Sequence, residues 1–368
     1  MFLTTGLGVG GAERQICDLS DELAASGYSI IILYLTGEAV YRPADGKVKL
    51  IKINMEKSIL GFLKGYFYTR KVIQRLKPDI LHSHMVHANI FSRLIRLSTK
   101  IPILINTAHS KNEGNYARML SYRMTDFLSD LVTNVSYEAV NEFILKKVTT
   151  KSKIRTVHNG INCQKFSFNS EYRIQKRYEL NLNADTPLIL SVGRLTEAKD
   201  YPNLLRAFSI LNLPIKPHLA IIGAGEIEDQ LKAYASELGC EDRVHWLGLR
   251  FDVEEWYSAC DLFVLSSLWE GFGLVVAEAM SSECLVVCTN AGGVSEVIND
   301  DRFLVPVSDS ESLAAKITEV FNLTTEEKQI IVKNHREHIV SNFSLQSICQ
   351  KWRNIYETFL FSHKRIER

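Results

Sequence analysis

The chain of 368 residues predicts an α/β protein built of two Rossmann-like, doubly wound domains facing each other across a cleft. Three observations carry that expectation. The length exceeds what one hydrophobic core ordinarily supports, so two domains are the default. A short apolar run, a glycine-containing turn and an amphipathic helix recur in that order in both halves, which is the pattern of a parallel sheet with crossover helices. The apolar runs, such as DLFVLSS at 261–267, are nearly continuous rather than alternating, as befits strands covered on both faces.

Composition narrows the class further. With 46% apolar and 23% charged residues the chain is an ordinary globular protein, and it has no uninterrupted apolar window of eighteen residues and no basic leader. The cytoplasm is the expected compartment. Seven scattered cysteines without a C-x-x-C read as reduced thiols with no assigned chemistry. The net charge of +1 conceals a division: residues 1–170 hold 23 Lys and Arg against 13 Asp and Glu (+10), and residues 171–368 hold 20 against 29 (−9). A basic half expects an anionic partner. No nucleic-acid module is recognisable, so nucleic acid is not expected; a phosphate-bearing substrate at an anionic membrane surface fits the same charge.

In chain order, TTGLGVGGAERQICDLSDELAASG is a glycine-rich loop feeding a helix with Ile16, Leu19 and Leu23 on one face. Unobstructed amides at Gly10 and Gly11 and a positive helix end suit a phosphate. The G-x-G-x-G-G spacing is wrong for NAD, and no acidic residue closes the next strand, YSIIILYL. From Glu56 to Pro78 basic and apolar residues alternate, with two accounts open: a core helix with a solvated basic face, or a helix lying in a membrane interface. PDILHSH is a buried strand ending in His82 and His84, with no third metal ligand of matching geometry. IPILINTAHS is another strand and carries His109 into the turn at its carboxyl end. A lone histidine is ordinarily a satisfied structural one. The stretch KNEGNYARMLSYRM that follows, with Lys111, Arg118 and Arg123, is a candidate acceptor or membrane contact. LVTNVSYEAVNEFIL and KIRTVHNGINCQKF give two further strands, and the domain passage is placed just after Phe166.

In the second half, PLILSVGRLTEAKDYPNLLRAF is a buried strand, a glycine turn bearing Arg194 and Lys199, and a helix. Two cations at a strand's carboxyl end are what a diphosphate leaving group needs, although plain surface charges would look the same. HLAIIGAGEIEDQLKAYASELG repeats the pattern with a turn at Gly223 and Gly225, like a mononucleotide half-site. VHWLGLRFDVEEWYSAC adds a turn at Gly248 to Arg250 and a helix with Trp256 and Tyr257. The stretch SSLWEGFGLVVAEAM, 266–280, is the candidate active site. Glu270, Gly271, Phe272 and Gly273 fill the turn before a helix opening at Leu274, whose free N–H groups point at the crevice beyond the strands. Glu278, two turns on among apolar residues, must find donors or face a cleft, because an unpaired buried carboxylate is costly. LVVCTNAGGVSEVI repeats strand, glycine turn and helix, and the tail from Ser312 to Phe361 reads as helical.

Five ordered motifs, GGAER, the strand ending at His109, VHNGINCQKF, SVGRL with Lys199, and Glu270 with Glu278 as E-x7-E, together resemble retaining glycosyltransferases of family 4 with the GT-B architecture. The resemblance spans residues 1 to about 355. It implies domains at 1–166 (acceptor side) and 167–345 (nucleotide-sugar binding), with 346–368 a helix packing back on the first. It implies that Gly10 and Gly11 lie against the donor diphosphate, that Arg194 and Lys199 bind it, and that the turn at Leu249 and Arg250 offers backbone to the nucleobase. By the same resemblance His109 and Glu270 hold the transferred sugar and Glu278 the ribose, with Gly223, Gly225 and Gly271 to Leu274 lining the donor.

The expected reaction moves a sugar from a nucleotide diphosphate donor to an acceptor hydroxyl with retention. UDP-GalNAc, UDP-GlcNAc and UDP-galactose rank first as donors, with GDP-mannose open. No D-x-D pair appears, so no metal and no cofactor are expected. The expected acceptor is a polyprenyl-diphosphate-linked saccharide in assembly of O-antigen or capsule, met by peripheral association with the inner face of the cytoplasmic membrane. Two other classes remain: a sugar-nucleotide epimerase of GT-B shape and a non-catalytic sugar-nucleotide binding module.

Overall fold

A computed structural model describes residues 1–111 and 116–366. The chain divides into two units, Met1–Gly160 together with the segment from Leu345, and Ile161–Ser344.

Unit 1 runs β1 (Phe2–Thr4), α1 (Gly11–Ala25), β2 (Ile31–Tyr34), β3 (Lys49–Lys52), α2 (Ile59–Leu76), β4 (Ile80–His84), α3 (Val86–Arg96), β5 (Ile103–Ala108), α4 (Tyr116–Thr125), β6 (Leu131–Asn134), α5 (Tyr137–Leu145) and β7 (Ile154–Thr156). Its seven strands are all parallel, in the order β3-β2-β1-β4-β5-β6-β7. Successive strand residues feed opposite faces. Phe2, Ile103 and Ile105 join one apolar cluster; Leu3 and Leu104 join the other with Ile73, Phe91 and Ile95 from α2 and α3.

Unit 2 runs α6 (Ser170–Glu179), β8 (Leu188–Val192), α7 (Tyr201–Ser209), β9 (His218–Ile222), α8 (Glu228–Glu237), β10 (Val244–Trp246), α9 (Val253–Ala259), β11 (Leu262–Leu265), α10 (Leu274–Ser281), β12 (Leu285–Thr289), α11 (Val294–Ile298), β13 (Leu304–Val305), α12 (Ser310–Phe321) and α13 (Thr325–Phe343). Its six parallel strands lie in the order β10-β9-β8-β11-β12-β13. In both units the order reverses beside the first strand. That reversal opens a crevice at the carboxyl ends of β1 and β4 in unit 1 and of β8 and β11 in unit 2.

The last helix, α14 (Leu345–Ile366), belongs to unit 1, where Ile348, Trp352 and Tyr356 enter the cluster around Phe2 and Ile16. Their four-residue spacing makes one stripe, and each such buried side chain contributes about 1.5–3 kcal/mol. The tail is helical as expected, in three helices: it breaks after Phe321, where Thr324 and Glu327 cap α13 reciprocally, and again at Ser344.

The division between the units falls at Gly160 rather than after Phe166. The Gly160 N–H donates to the Gln15 side chain of α1 (2.9 Å), and a Cβ at Gly160 would lie 2.9 Å from the Leu345 backbone. Phe166 sits firmly in unit 2, its carbonyl accepting from Ser281 Oγ (2.7 Å) and its ring edge-on to Tyr257. Among the described residues no helix is long and apolar enough to cross a membrane.

Candidate active site

In unit 2 the loops that leave β8 and β11 are laced together by a backbone bond and a serine hydroxyl. Leu268 N–H donates to the Ala198 carbonyl (2.9 Å), and Ser266 Oγ donates to the Lys199 carbonyl (2.8 Å). This lacing brings Lys199 Nζ onto the Glu270 carboxylate as an ion pair, both side chains less than a fifth exposed. Ser267 Oγ donates to the same carboxylate oxygen at 2.7 Å. The lysine stem lies over Gly193, where a Cβ would stand 3.1 Å from Lys199 Cε. Arg194, in the same loop, is exposed, and its guanidinium has no hydrogen bond or ion pair among the described residues. The loop after β8 thus carries one cation matched by an acid, Lys199, and one exposed to solvent, Arg194.

Gly223 and Gly225 support that loop from behind. A Cβ at Gly223 (φ +145°) would fall 1.9 Å from the Gly193 carbonyl oxygen, and one at Gly225 would fall 2.1 Å from the Leu195 carbonyl oxygen. Backbone bonds from Gly193 N–H to Ile222 (2.9 Å) and from Leu195 N–H to Ala224 (3.1 Å) close the same contact. The missing side chains of this turn therefore face protein backbone. Gly292 does the same for the other loop, its hypothetical Cβ 2.1 Å from the Glu270 carbonyl oxygen.

The turn Gly271 to Gly273 leads into α10 with Gly273 at φ +90°, a conformation that glycine adopts without penalty. The first intrahelical bond, from Val276 N–H to the Gly273 carbonyl (3.0 Å), leaves the N–H groups of Leu274 and Val275 ahead of the ladder. Phe272 is buried, edge-on to Phe343. Glu278 is only 1% exposed and receives the Tyr257 hydroxyl at 3.0 Å, so the donor that burial demands comes from α9 of the same unit. Leu249 is exposed beside Gly248 (φ +63°). Arg250 spends its guanidinium on Asp252 (2.9 and 2.7 Å) and Glu179 (3.2 Å), the Gly248 carbonyl of this turn accepts from the Gly223 N–H (2.8 Å), and Arg250 holds the Asp252 carboxyl well below the usual carboxylate range.

The remaining candidates lie in unit 1. Gly10 caps α1 in extended conformation, and a Cβ there would meet the Glu13 carboxylate at 2.3 Å; Gly11 opens the helix and is exposed. His109, at the end of β5, is half-buried with its Nε2 3.1 Å from His84 Nδ1, and burial pushes its pKa down to about 4. In the candidate contact stretch after it, residues 112–115 lie outside the described residues; Lys111 pairs with Glu138 (2.8 Å).

Several partners escaped the sequence reading. Ser266 and Ser267 lay inside the candidate stretch 266–280 but were given no role there, and Gly292 stood only within the glycine turn of LVVCTNAGGVSEVI. Tyr257 and His84 carried no local signal of their partners.

Comparison with known proteins agrees with this architecture. Residues 9–165 match the family model described as Glycosyltransferase Family 4, and residues 173–338 match Glycosyl transferases group 1. The chain is 26% identical over 323 residues to the N-acetylgalactosamine-N,N'-diacetylbacillosaminyl-diphospho-undecaprenol 4-alpha-N-acetylgalactosaminyltransferase of Campylobacter jejuni, covering 83% of this chain and 86% of the relative. It is 26% identical over 314 residues to the UDP-Gal:alpha-D-GlcNAc-diphosphoundecaprenol alpha-1,3-galactosyltransferase of Escherichia coli, covering 81% and 80%. Among solved structures, a glycosyltransferase from Rickettsia africae superposes with a TM-score of 0.85 at 23% identity, covering 98% of both chains. HepE from Anabaena, crystallised with UDP and glucose, superposes with a TM-score of 0.85 at 20% identity over 97% of this chain and 98% of its own. Two doubly wound parallel units in one chain are the fold of the GT-B glycosyltransferases. The chain belongs to the family 4 glycosyltransferases, its first unit matched by the model of that name and its second by that of group 1.

Proposed function

We propose that this enzyme transfers a sugar, with retention and without a metal, from a UDP-sugar to a hydroxyl of a polyprenyl-diphosphate-linked saccharide during assembly of a surface polysaccharide such as O-antigen or capsule. The observation that carries the reading is the Lys199–Glu270 pair at the switch point of unit 2, with Arg194, exposed and without a partner among the described residues, in the same loop as Lys199. The C1–O bond to the diphosphate breaks and the acceptor oxygen bonds to C1 on the same face. The acceptor's proton passes to the departing phosphate oxygen. Arg194 and Lys199 hold the charge that develops on that leaving group, a preorganised electrostatic effect worth on the order of 10²–10³ in rate per donor removed. Glu270, oriented by Ser267, accepts from hydroxyls of the transferred sugar, and His109 is assigned to the same sugar. Glu278 serves the ribose and the backbone at Leu249 and Arg250 the base.

The relatives named above for UDP-galactose and N-acetylgalactosamine transfer to undecaprenyl-diphosphate saccharides favour a galactose or N-acetylhexosamine donor. Membrane association rests on α2. That helix buries only Gly61, Gly65, Thr69 and Ile73, leaving Ile59, Leu60 and Phe67 exposed at 81%, 71% and 59% among lysines and arginines. An apolar face flanked by cations suits the interface of an anionic bilayer, here the cytoplasmic leaflet.

The test is incubation with UDP-GalNAc, UDP-GlcNAc or UDP-galactose and a polyprenyl-diphosphate saccharide in the presence of EDTA. One donor should yield UDP and an α-linked, elongated lipid. A β-linked product, or strict dependence on added divalent ion, would refute the corresponding half of the reading.

A further inference from the structure

Three histidines stand at the carboxyl ends of β4 and β5, of which the proposed function uses only His109. His82 is accounted for by its neighbours: Nδ1 meets the Tyr356 hydroxyl (2.7 Å) and Nε2 the Thr107 hydroxyl (2.6 Å). His84 is different. It is 2% exposed, its Nδ1 lies 3.1 Å from His109 Nε2, and its buried Nε2 has no hydrogen-bond partner among the described residues.

Burial holds both imidazoles neutral at physiological pH, His84 well below its ordinary value and His109 at about 4, so a single proton lies between them. Were His109 Nε2–H the donor, His84 would carry its own proton on Nε2 and bury an N–H with no acceptor. With His84 Nδ1–H as donor, the leftover atom is a bare lone pair. A stranded buried N–H is the rarer and costlier of the two. The backbone at this point is also constrained. Met85, directly after His84, has φ +71° and ψ 153°, a region nearly exclusive to glycine, and it is held there by its N–H on the Thr107 carbonyl (3.3 Å).

We infer that His84 is a positioning residue: its Nδ1–H donates to His109 Nε2, fixing His109 as the Nδ1–H tautomer so that it meets a substrate as a hydrogen-bond donor. The functional half rests on the reading of His109 as a sugar-holding group; the tautomer does not.

The measurement is a long-range proton–nitrogen correlation spectrum of the full chain labelled with ¹⁵N-histidine, assigned with His109→Gln. The wild type should show His109 Nε2 bare and Nδ1 protonated, and needs no His84 variant to fold. A protonated His109 Nε2 overturns the inference. In His84→Phe the His109 tautomer should become mixed and kcat should fall by about tenfold, one hydrogen bond's worth, while His84→Asn, whose amide can replace the Nδ1 donor, should recover much of it. An unchanged tautomer in His84→Phe also overturns it. If the tautomer is as inferred but His109→Gln transfers sugar at the wild-type rate, the role given to His109 fails and the positioning claim with it, while the tautomer assignment stands.

Discussion

Lys199 and Glu270, 71 positions apart in sequence, form an ion pair that joins the loop after β8 to the loop after β11. The pair is largely shielded from water and is anchored on the acid side by Ser267. It holds a cation in place before any ligand arrives, which is the preorganised charge that the proposed transfer requires.

Coupling between the two can be measured directly. Lys199→Ala leaves a shielded carboxylate with only a serine, and Glu270→Ala leaves a shielded ammonium, so each should lower stability by more than the double variant's share. A double-mutant cycle by urea denaturation should return about 1–3 kcal/mol of interaction energy. Simple additivity would show that the pair is incidental.

Tyr257→Phe removes one hydroxyl and leaves the ring packing intact. It should destabilise by about 1–3 kcal/mol, since Glu278 loses a buried donor, and should raise KM for the donor sugar with little change in kcat. Unfolding curves and initial rates for the variant check both parts. A change confined to kcat would argue against Glu278 as a ground-state nucleotide contact.

Acid should destabilise unit 2 through His335. Burial pushes its pKa down to about 4, with Asp300 opposing and His338 and Arg302 reinforcing the shift, and its ring packs edge-on to Phe303. Because the unfolded chain binds the proton more readily, its contribution is full above about pH 6.5 and is lost as pH falls toward about 4. His335→Phe should therefore lose less stability between pH 7.5 and pH 5 than the wild type, by an amount on the order of 2 kcal/mol at most. Parallel pH slopes for the two proteins would contradict this.

The exposed face of α2 predicts a separable defect. Leu60→Glu combined with Phe67→Glu should reduce cosedimentation with anionic vesicles at low salt several-fold while leaving thermal stability and the hydrolysis-free binding of UDP unchanged. Equal vesicle binding by variant and wild type would remove the support for this face.

Much of the fold was legible because its signals are local. Each βα unit announces itself within about twenty residues as an apolar run, a glycine turn and a helix, and Arg194, Lys199 and Glu270 could be placed at strand ends for that reason. What could not be read were distances across the sheet. Nothing near Glu278 points to Tyr257, and nothing near His109 points to His84, because both partners arrive from neighbouring elements. Gly223 and Gly225 were expected to line the donor; that their missing side chains also make room for the carbonyls of Gly193 and Leu195 could not be read from the turn itself. The α2 stretch left two accounts open because its buried stripe consists of small residues, Gly61, Gly65 and Thr69 with Ile73, whose contribution a count of large apolar residues overlooks.

The most direct test of the central claim compares wild type with Lys199→Ala in the conversion of a UDP-sugar and a polyprenyl-diphosphate saccharide to UDP and elongated lipid. The wild type should form both products in equal amounts, and Lys199→Ala should be slower by about 10²-fold or more. UDP released without elongated lipid, or a Lys199→Ala variant as fast as the wild type, would contradict the account.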